Sequence, residues 1–299
     1  YICTVIPSIE TWEDFSDRRK SVKEYYTKGS DMKIGIITAG ILPVPAVQGG
    51  AVETLIDFCL EYNDNHHLHD ITVYSIKYPK VRNHPALMSK VNHYQYVDVS
   101  SFMAKIKKHL FKWLKKGNFY YHYSVEYYLE QVLKHARHQS YDVIIIENRP
   151  GFVLRLKDCT SARIVVHQEN DYLNSQVREY QTIYNSISCI INTSDYITKC
   201  VQSITSDDTK CRTVLNGIDT NKFFEAKPLL RQQAGLKDNE FVIVYSGRLT
   251  KEKGILELKK EILEWVRDIG IACLLALIII SLFKPIIIQQ HSMEPNFYQ

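Results

Sequence analysis

The chain reads as a doubly wound parallel α/β protein, and three observations carry that expectation. Short runs rich in Ile and Val recur along residues 32–220, as buried strands of a parallel sheet require. Helix-length amphipathic stretches fall between most of them. Turn residues and glycines mark the ends of the runs, so strand and helix alternate as in a dinucleotide-type fold.

In chain order, residues 1–31 carry mixed charge and read as a helical extension ending at Gly29, assigned to no domain. MKIGIIT, from Met32, opens a domain as a fully buried first strand. Further strands are expected at 71–76, 142–147, 163–167, 188–193 and 212–216. Helices are expected at roughly 50–62, 101–116, 121–138, 171–186 and 194–204. Together these make one domain over 32–220. A polar spacer from Asp219 then leads to FVIVYSG at 241–247, a new first strand, so a second α/β domain begins at 221. Only that strand and the start of a helix precede residue 258, whereas a Rossmann-like sheet needs several more strands. Residues 221–258 therefore read as the truncated start of a second domain.

Composition narrows the function. The 299 residues hold 45% hydrophobic and 23% charged side chains, ordinary for a globular chain. A net charge of +4 is too small to argue for nucleic acid. Seven cysteines lie scattered without CxxC or a metal-like spacing, which fits reduced thiols better than a disulfide framework. His66, His67 and His69 lie in the polar stretch EYNDNHHLHD, which reads as a solvated loop rather than a metal site. The segment Lys105 to Lys116 reads as an amphipathic helix with Phe102, Ile106, Leu110, Trp113 and Leu114 toward one side. Packing of that side into the core, with a solvated basic face, is the expected arrangement; contact with anionic lipid is the alternative.

Two loops carry chemistry. After the first strand, Gly49 and Gly50 stand just before a helix whose first turn holds Glu53. Glycines there let a ligand approach the backbone, and free helix N–H groups favour an anion. After the strand at 241–246, Arg248 and Lys253 flank a turn beside Gly247 and Gly254. Two cations at the carboxyl end of a parallel strand suit a diphosphate.

These segments, MKIGIITAGILPVPAVQGGAVETL, RIVVHQEND, VLNGIDTNKF and VYSGRLTKEKGILEL, resemble a family 4 GT-B glycosyltransferase over about residues 32–258. The resemblance implies a GT-B amino-terminal domain and retaining transfer of a sugar from a nucleotide-sugar to a glycan or lipid-linked acceptor, with no obligatory metal and no cofactor. It implies that Gly49 and Gly50 lie near donor and acceptor, that His167 lies beside the transferring sugar, and that Arg248 and Lys253 grip the donor diphosphate. The family's late Glu-x7-Glu element has no counterpart before residue 258. Glu53 and Glu61 have that spacing, but they lie in the first helix and read as coincidence.

From Ile269 to Phe283 fifteen residues carry no charge. Counted through Ile288, the run spans a ~30 Å hydrocarbon core at ~1.5 Å per residue. Lys284 near its far end can snorkel to the interface. Lys259, Lys260 and Arg267 precede it, so positive-inside counting expects a single-pass cell-membrane protein with residues 1–268 cytoplasmic. The segment 259–299, with SMEP beyond the span, resembles the start of bacterial type I signal peptidases, and the resemblance implies Ser292 as nucleophile. A serine needs a base, and the family's lysine and catalytic domain do not follow before Gln299. The chain opens on Tyr and its second domain breaks off, so the sequence reads as joined fragments: glycosyltransferase by ancestry, with little expected sugar transfer. A signal peptidase fragment and a non-functional fusion are the alternatives.

Overall fold

The computed structural model describes residues 32–114, 123–205, 209–218, 220, 231–237, 242–243, 245 and 253–269. The chain divides into two compact units between Phe223 and Phe224.

The first unit is built on one sheet. Strand β1 (Lys33–Ile37) leads to helix α1 (Ala51–His66), then β2 (Asp70–Ile76) and β3 (Asn92–Val97). Helices α2 (Phe102–Trp113) and α3 (Tyr123–Ala136) follow, then β4 (Val143–Glu147), the short α4 (Val153–Leu156) and β5 (Arg163–Gln168). Helix α5 (Tyr180–Asn185), β6 (Cys189–Asn192), α6 (Asp195–Gln202) and β7 (Cys211–Thr213) complete the sheet. The strand order is β3-β2-β1-β4-β5-β6-β7 and every pairing is parallel. The order reverses between β1 and β4, and loops at the carboxyl ends of these strands flank the crevice where such sheets bind ligands.

Side-chain alternation divides the core in two. Ile34, Ile36, Val143, Ile145, Val165 and Ile191 pack under α1 through Ile56, Cys59 and Leu60. Ile37, Ile144, Ile146, Val166 and Ile190 pack under α3 through Tyr128, Leu129, Val132 and Leu133. A strand buried on both faces is apolar at successive positions, which is why Val143–Ile146 read as one continuous apolar run before Glu147.

Several expectations need correction. Strand β3 goes unread in the sequence because it is an edge strand, half-buried, and its NHYQYV lacks an apolar run. The helix expected at 171–186 is confined to Tyr180–Asn185, and the last strand ends at Thr213. The histidine stretch is solvated at His66 and His67, as expected, but it is not a loop throughout, and Asn63 and His69 within it are buried. Helix α1 runs to His66, where left-handed His67 closes it, and Asn63 is fully buried. The Asn63 side chain accepts from the His69 backbone N–H at 3.0 Å, and its Nδ2 donates to the His69 carbonyl at 2.9 Å and to Asn92 Oδ1 at 2.7 Å. Polar letters here spell a buried hydrogen-bonded knot that ties helix to edge strand. Among the described residues no group of His, Cys, Asp and Glu has the arrangement to hold a metal.

Helix α2 also departs from its expected packing. Ser101 caps it by accepting from the Ala104 N–H, and it packs on α3, yet only Ala104 is buried. The apolar side faces outward, with Phe102 76% and Trp113 79% exposed.

In the second unit, helix α7 (Ile255–Ile269) begins one residue after Gly254 and runs unbroken past residue 258. Val242, Ile243 and Tyr245, the described members of the strand expected at 241–247, are not in a strand. The helical extension 1–31 lies outside the described residues, as does the apolar run after Ile269. Among the described residues no helix is long and apolar enough to cross a membrane.

Candidate functional site

The loop after β1 is fixed before it reaches its glycines. The Val44 N–H donates to Ser75 Oγ at 2.8 Å, and Tyr96 donates its hydroxyl to the Val44 carbonyl at 3.0 Å. Asp57 of α1 accepts from the Ala46 N–H at 2.7 Å. These bonds leave residues 47–50 as a short rim. Gly49 has φ 76° and open space where a Cβ would stand. Gly50, at φ 105°, has Leu42 and the Glu53 carboxylate where its Cβ would stand. The first glycine therefore supplies conformation and access, and the second supplies close packing.

Glu147 and His167 are register partners at the ends of β4 and β5, on the sheet face that α1 covers. His167 Nδ1 lies 2.8 Å from Glu147 Oε2, and both side chains are buried. Burial alone pushes the imidazolium of His167 down. The Glu147 carboxylate, through its charge and its hydrogen bond, and Glu169 beyond it outweigh that effect, so the pKa ends above the ordinary histidine value. The remaining ring nitrogen, Nε2, is buried without a hydrogen-bond partner among the described residues, as is Glu147 Oε1. A buried orphan nitrogen costs stability and is tolerated most readily where a ligand completes it.

Two more carboxylates join the pair. Glu53, in the first turn of α1, is pushed up by burial and by the charges of Glu147, Asp57 and Glu169, against the lowering effect of its own backbone N–H. Burial also raises Glu169, against His167 and Asn216, whose Nδ2 donates to its carboxylate at 3.3 Å. The Glu169 N–H donates to Asn148 Oδ1 at 3.2 Å, and Asn148 itself sits at φ 53°. Two strand ends, the first turn of α1 and the asparagine of NGIDTNKF thus converge at one place.

A raised carboxylate pKa means that the folded state holds the proton more tightly than the unfolded one. Stability linked to Glu53 is therefore present below about pH 4.5, the ordinary value, and is lost as pH rises through the raised folded value. Glu53→Gln is expected to raise the melting temperature at pH 8 and leave it nearly unchanged at pH 4. Equal shifts at both pH values would refute the assignment of a buried charge penalty to Glu53.

The structure thus brings Gly49, Gly50 and His167 to the same end of one sheet. Lys253 lies just before α7 in the second unit, exposed. Arg248 and Ser292 lie outside the described residues. Glu147 and Glu169, the partners of His167, were not singled out from sequence. The signal for Glu147 is legible in retrospect: a carboxylate closing four buried aliphatics at the carboxyl end of a central strand needs a reason to be there.

Fold and site together define a doubly wound α/β domain with a buried polar cluster at its topological switch point. Compared with known proteins, the chain is 26% identical over 254 residues to spore coat protein SA of Bacillus subtilis strain 168, covering 80% of this chain and 59% of that protein. It is 25% identical over 236 residues to "Putative glycosyltransferase YtcC" of the same organism, covering 75% of this chain and 50% of that one. The chain spans about half the length of these curated relatives. No family model matches it. Among solved structures it is similar to Anabaena Alr3699/HepE in complex with UDP-glucose, at 15% identity and TM-score 0.41, over 68% of this chain and 50% of that one. It is also similar to the apo lipopolysaccharide outer core galactosyltransferase WaaB, at 11% identity and TM-score 0.39, over 62% and 46%. The chain is glycosyltransferase-like in sequence.

Proposed function

We propose that residues 32–220 form one wall of the cleft of a retaining, family 4 GT-B glycosyltransferase that uses a nucleotide-sugar donor. The observation that carries this reading is the convergence of Gly49, Gly50, Glu53, Glu147, His167 and Glu169 at the switch point. Carboxyl oxygens are chiefly hydrogen-bond acceptors, so a wall holding three carboxyl groups suits a ligand rich in hydroxyl groups rather than a bare phosphate. The sequence similarity to a protein named as a glycosyltransferase points to the same class.

In this reading His167 stands beside the transferring sugar, oriented by Glu147. In its neutral form, with Nδ1–H donating to Glu147, its Nε2 accepts from a sugar hydroxyl; as imidazolium it donates there. Gly49 allows close approach. The donor diphosphate falls to Arg248 and Lys253 of the segment beginning at 221, and the acceptor is a glycan or lipid-linked glycan. The nucleotide-sugar is substrate, and no metal or resident cofactor is part of the proposal. Residues 269–288 are proposed as a single membrane span with residues 1–268 on the cytoplasmic side, on the strength of the apolar run and of Lys259, Lys260 and Arg267 before it.

Titration calorimetry of the chain against a panel of nucleotide-sugars tests the reading. Binding is expected, and Arg248→Ala should weaken it by about 1.5–3 kcal/mol through loss of charged hydrogen bonds. Binding unaffected by Arg248→Ala would remove that residue from the site, and no binding to any nucleotide-sugar would remove the function.

A further inference from the structure

We propose that helix α2 is a membrane-docking element that lays its outward apolar side on an anionic bilayer surface. At ~100° per residue, Phe102, Trp113, Ile106, Leu110, Met103 and Leu114 fall within an arc of about 120°. Every one of them is at least 43% exposed. The helix faces the protein through Ala104, which is on the other side and buried. An apolar stripe this wide costs stability in water unless something covers it.

Charge selects the occupant. The sequence FMAKIKKHLFKW holds four lysines and one histidine and no carboxylate. Lys105, Lys108, His109 and Lys112 flank one edge of the arc, with Lys105 and Lys112 exposed. Lys107 stands at the other edge, where it pairs with Glu130 of α3. Beside it lies a pocket of about 260 Å³ lined by Lys107, Lys134, Arg137 and Arg155, of which Lys107 pairs with Glu130 and Arg155 with the buried Glu126. An apolar stripe bordered by cations on both edges is complementary to a layer of anionic headgroups over acyl chains, where lysines reach up to the headgroups and Trp sits at the interface. A protein partner of ordinary surface composition would leave the exposed Lys105 and Lys112 facing no matching set of carboxylates.

The test uses Trp113 as its own reporter. The full chain carrying Trp12→Phe and Trp265→Phe leaves Trp113 as the sole tryptophan. This protein is reconstituted with phosphatidylcholine vesicles, or with vesicles that also contain phosphatidylglycerol, some carrying brominated acyl chains. The expected result is blue-shifted Trp113 emission, quenched by bromolipid, only where phosphatidylglycerol is present. Each lysine near such a surface contributes on the order of fivefold to partitioning, so Lys105→Glu with Lys112→Glu should weaken the response at least ~25-fold. Because the signal comes from Trp113, membrane insertion of residues 269–288 by itself does not produce it. No quenching on anionic vesicles, or equal quenching on neutral ones, would overturn the proposal. So would emission that is already blue-shifted before lipid is added, since a second copy or another segment of this chain would then cover the helix.

Discussion

Replacing His167 by Phe is expected to destabilise the first unit by about 3–5 kcal/mol near pH 6, the cost of leaving one partner of a buried pair without the other. Glu147 is wholly inaccessible, its Oε1 has no hydrogen-bond partner among the described residues, and Glu53 and Glu169 add like charge nearby. Phe fills the imidazole volume and cannot neutralise that carboxylate. Glu147→Gln should cost far less, because a neutral imidazole can donate Nδ1–H to the amide oxygen at the same place. The pH dependence has a definite sign. The pKa of His167 is raised above 6.5, so the pair's stabilisation is complete below about pH 6.5 and declines as pH rises through the folded value. Denaturant titration of the three proteins at pH 6 and pH 9 checks both statements. A wild-type advantage over His167→Phe that grows toward pH 9 would contradict the ion-pair account.

Tyr128→Ala should have an effect of similar size, about 3–5 kcal/mol, as for other large aromatic truncations in a core. Tyr128 is wholly buried in α3, and its ring lies against Gly40, at φ 72°, where an added Cβ would meet it at 2.5 Å. Its hydroxyl donates to the Tyr74 carbonyl at 2.8 Å and lies 3.1 Å from Thr38 Oγ1. One side chain thus supports the point where β1 turns into the glycine loop. Truncation removes the packing and leaves the Tyr74 carbonyl with one acceptor bond fewer. Tyr128→Phe keeps the ring and should cost only about 1 kcal/mol. Urea unfolding of both variants separates packing from hydrogen bonding. Equal losses in the two would assign the effect to the hydroxyl alone.

The contrast between these two positions shows what the sequence could and could not display. The central strands were legible because burial on both faces leaves only branched aliphatics, as in Val143–Ile146 and Ile164–Val166. The glycines before α1 were legible as residues at a strand-to-helix turn, whereas His167, near the end of β5, was singled out only through the family resemblance. The partners of His167 were not, because pairing across β4 and β5 depends on a register that no local pattern encodes. For the same reason Asn63 and His69 read as solvated letters although they are buried together with Asn92. Helix α2 was legible as amphipathic, but periodicity gives only the existence of an apolar side. Whether the core or something outside the domain covers it is a matter of tertiary packing, and here the core does not.

The central claim is that the ends of β1, β4 and β5 form a sugar-binding cleft in which His167 Nε2 awaits a partner. Its most direct measurement is NMR of the chain labelled at the histidine rings, titrated with a nucleotide-sugar that calorimetry shows to bind. The His167 resonances are identified by their absence in His167→Phe. The account predicts that the His167 Nε2 signal shifts in a saturable way, with the same midpoint as the calorimetric binding, and that Glu147→Gln alters the size of that shift. A ligand that binds while His167 stays unchanged, with other histidines responding instead, would contradict it.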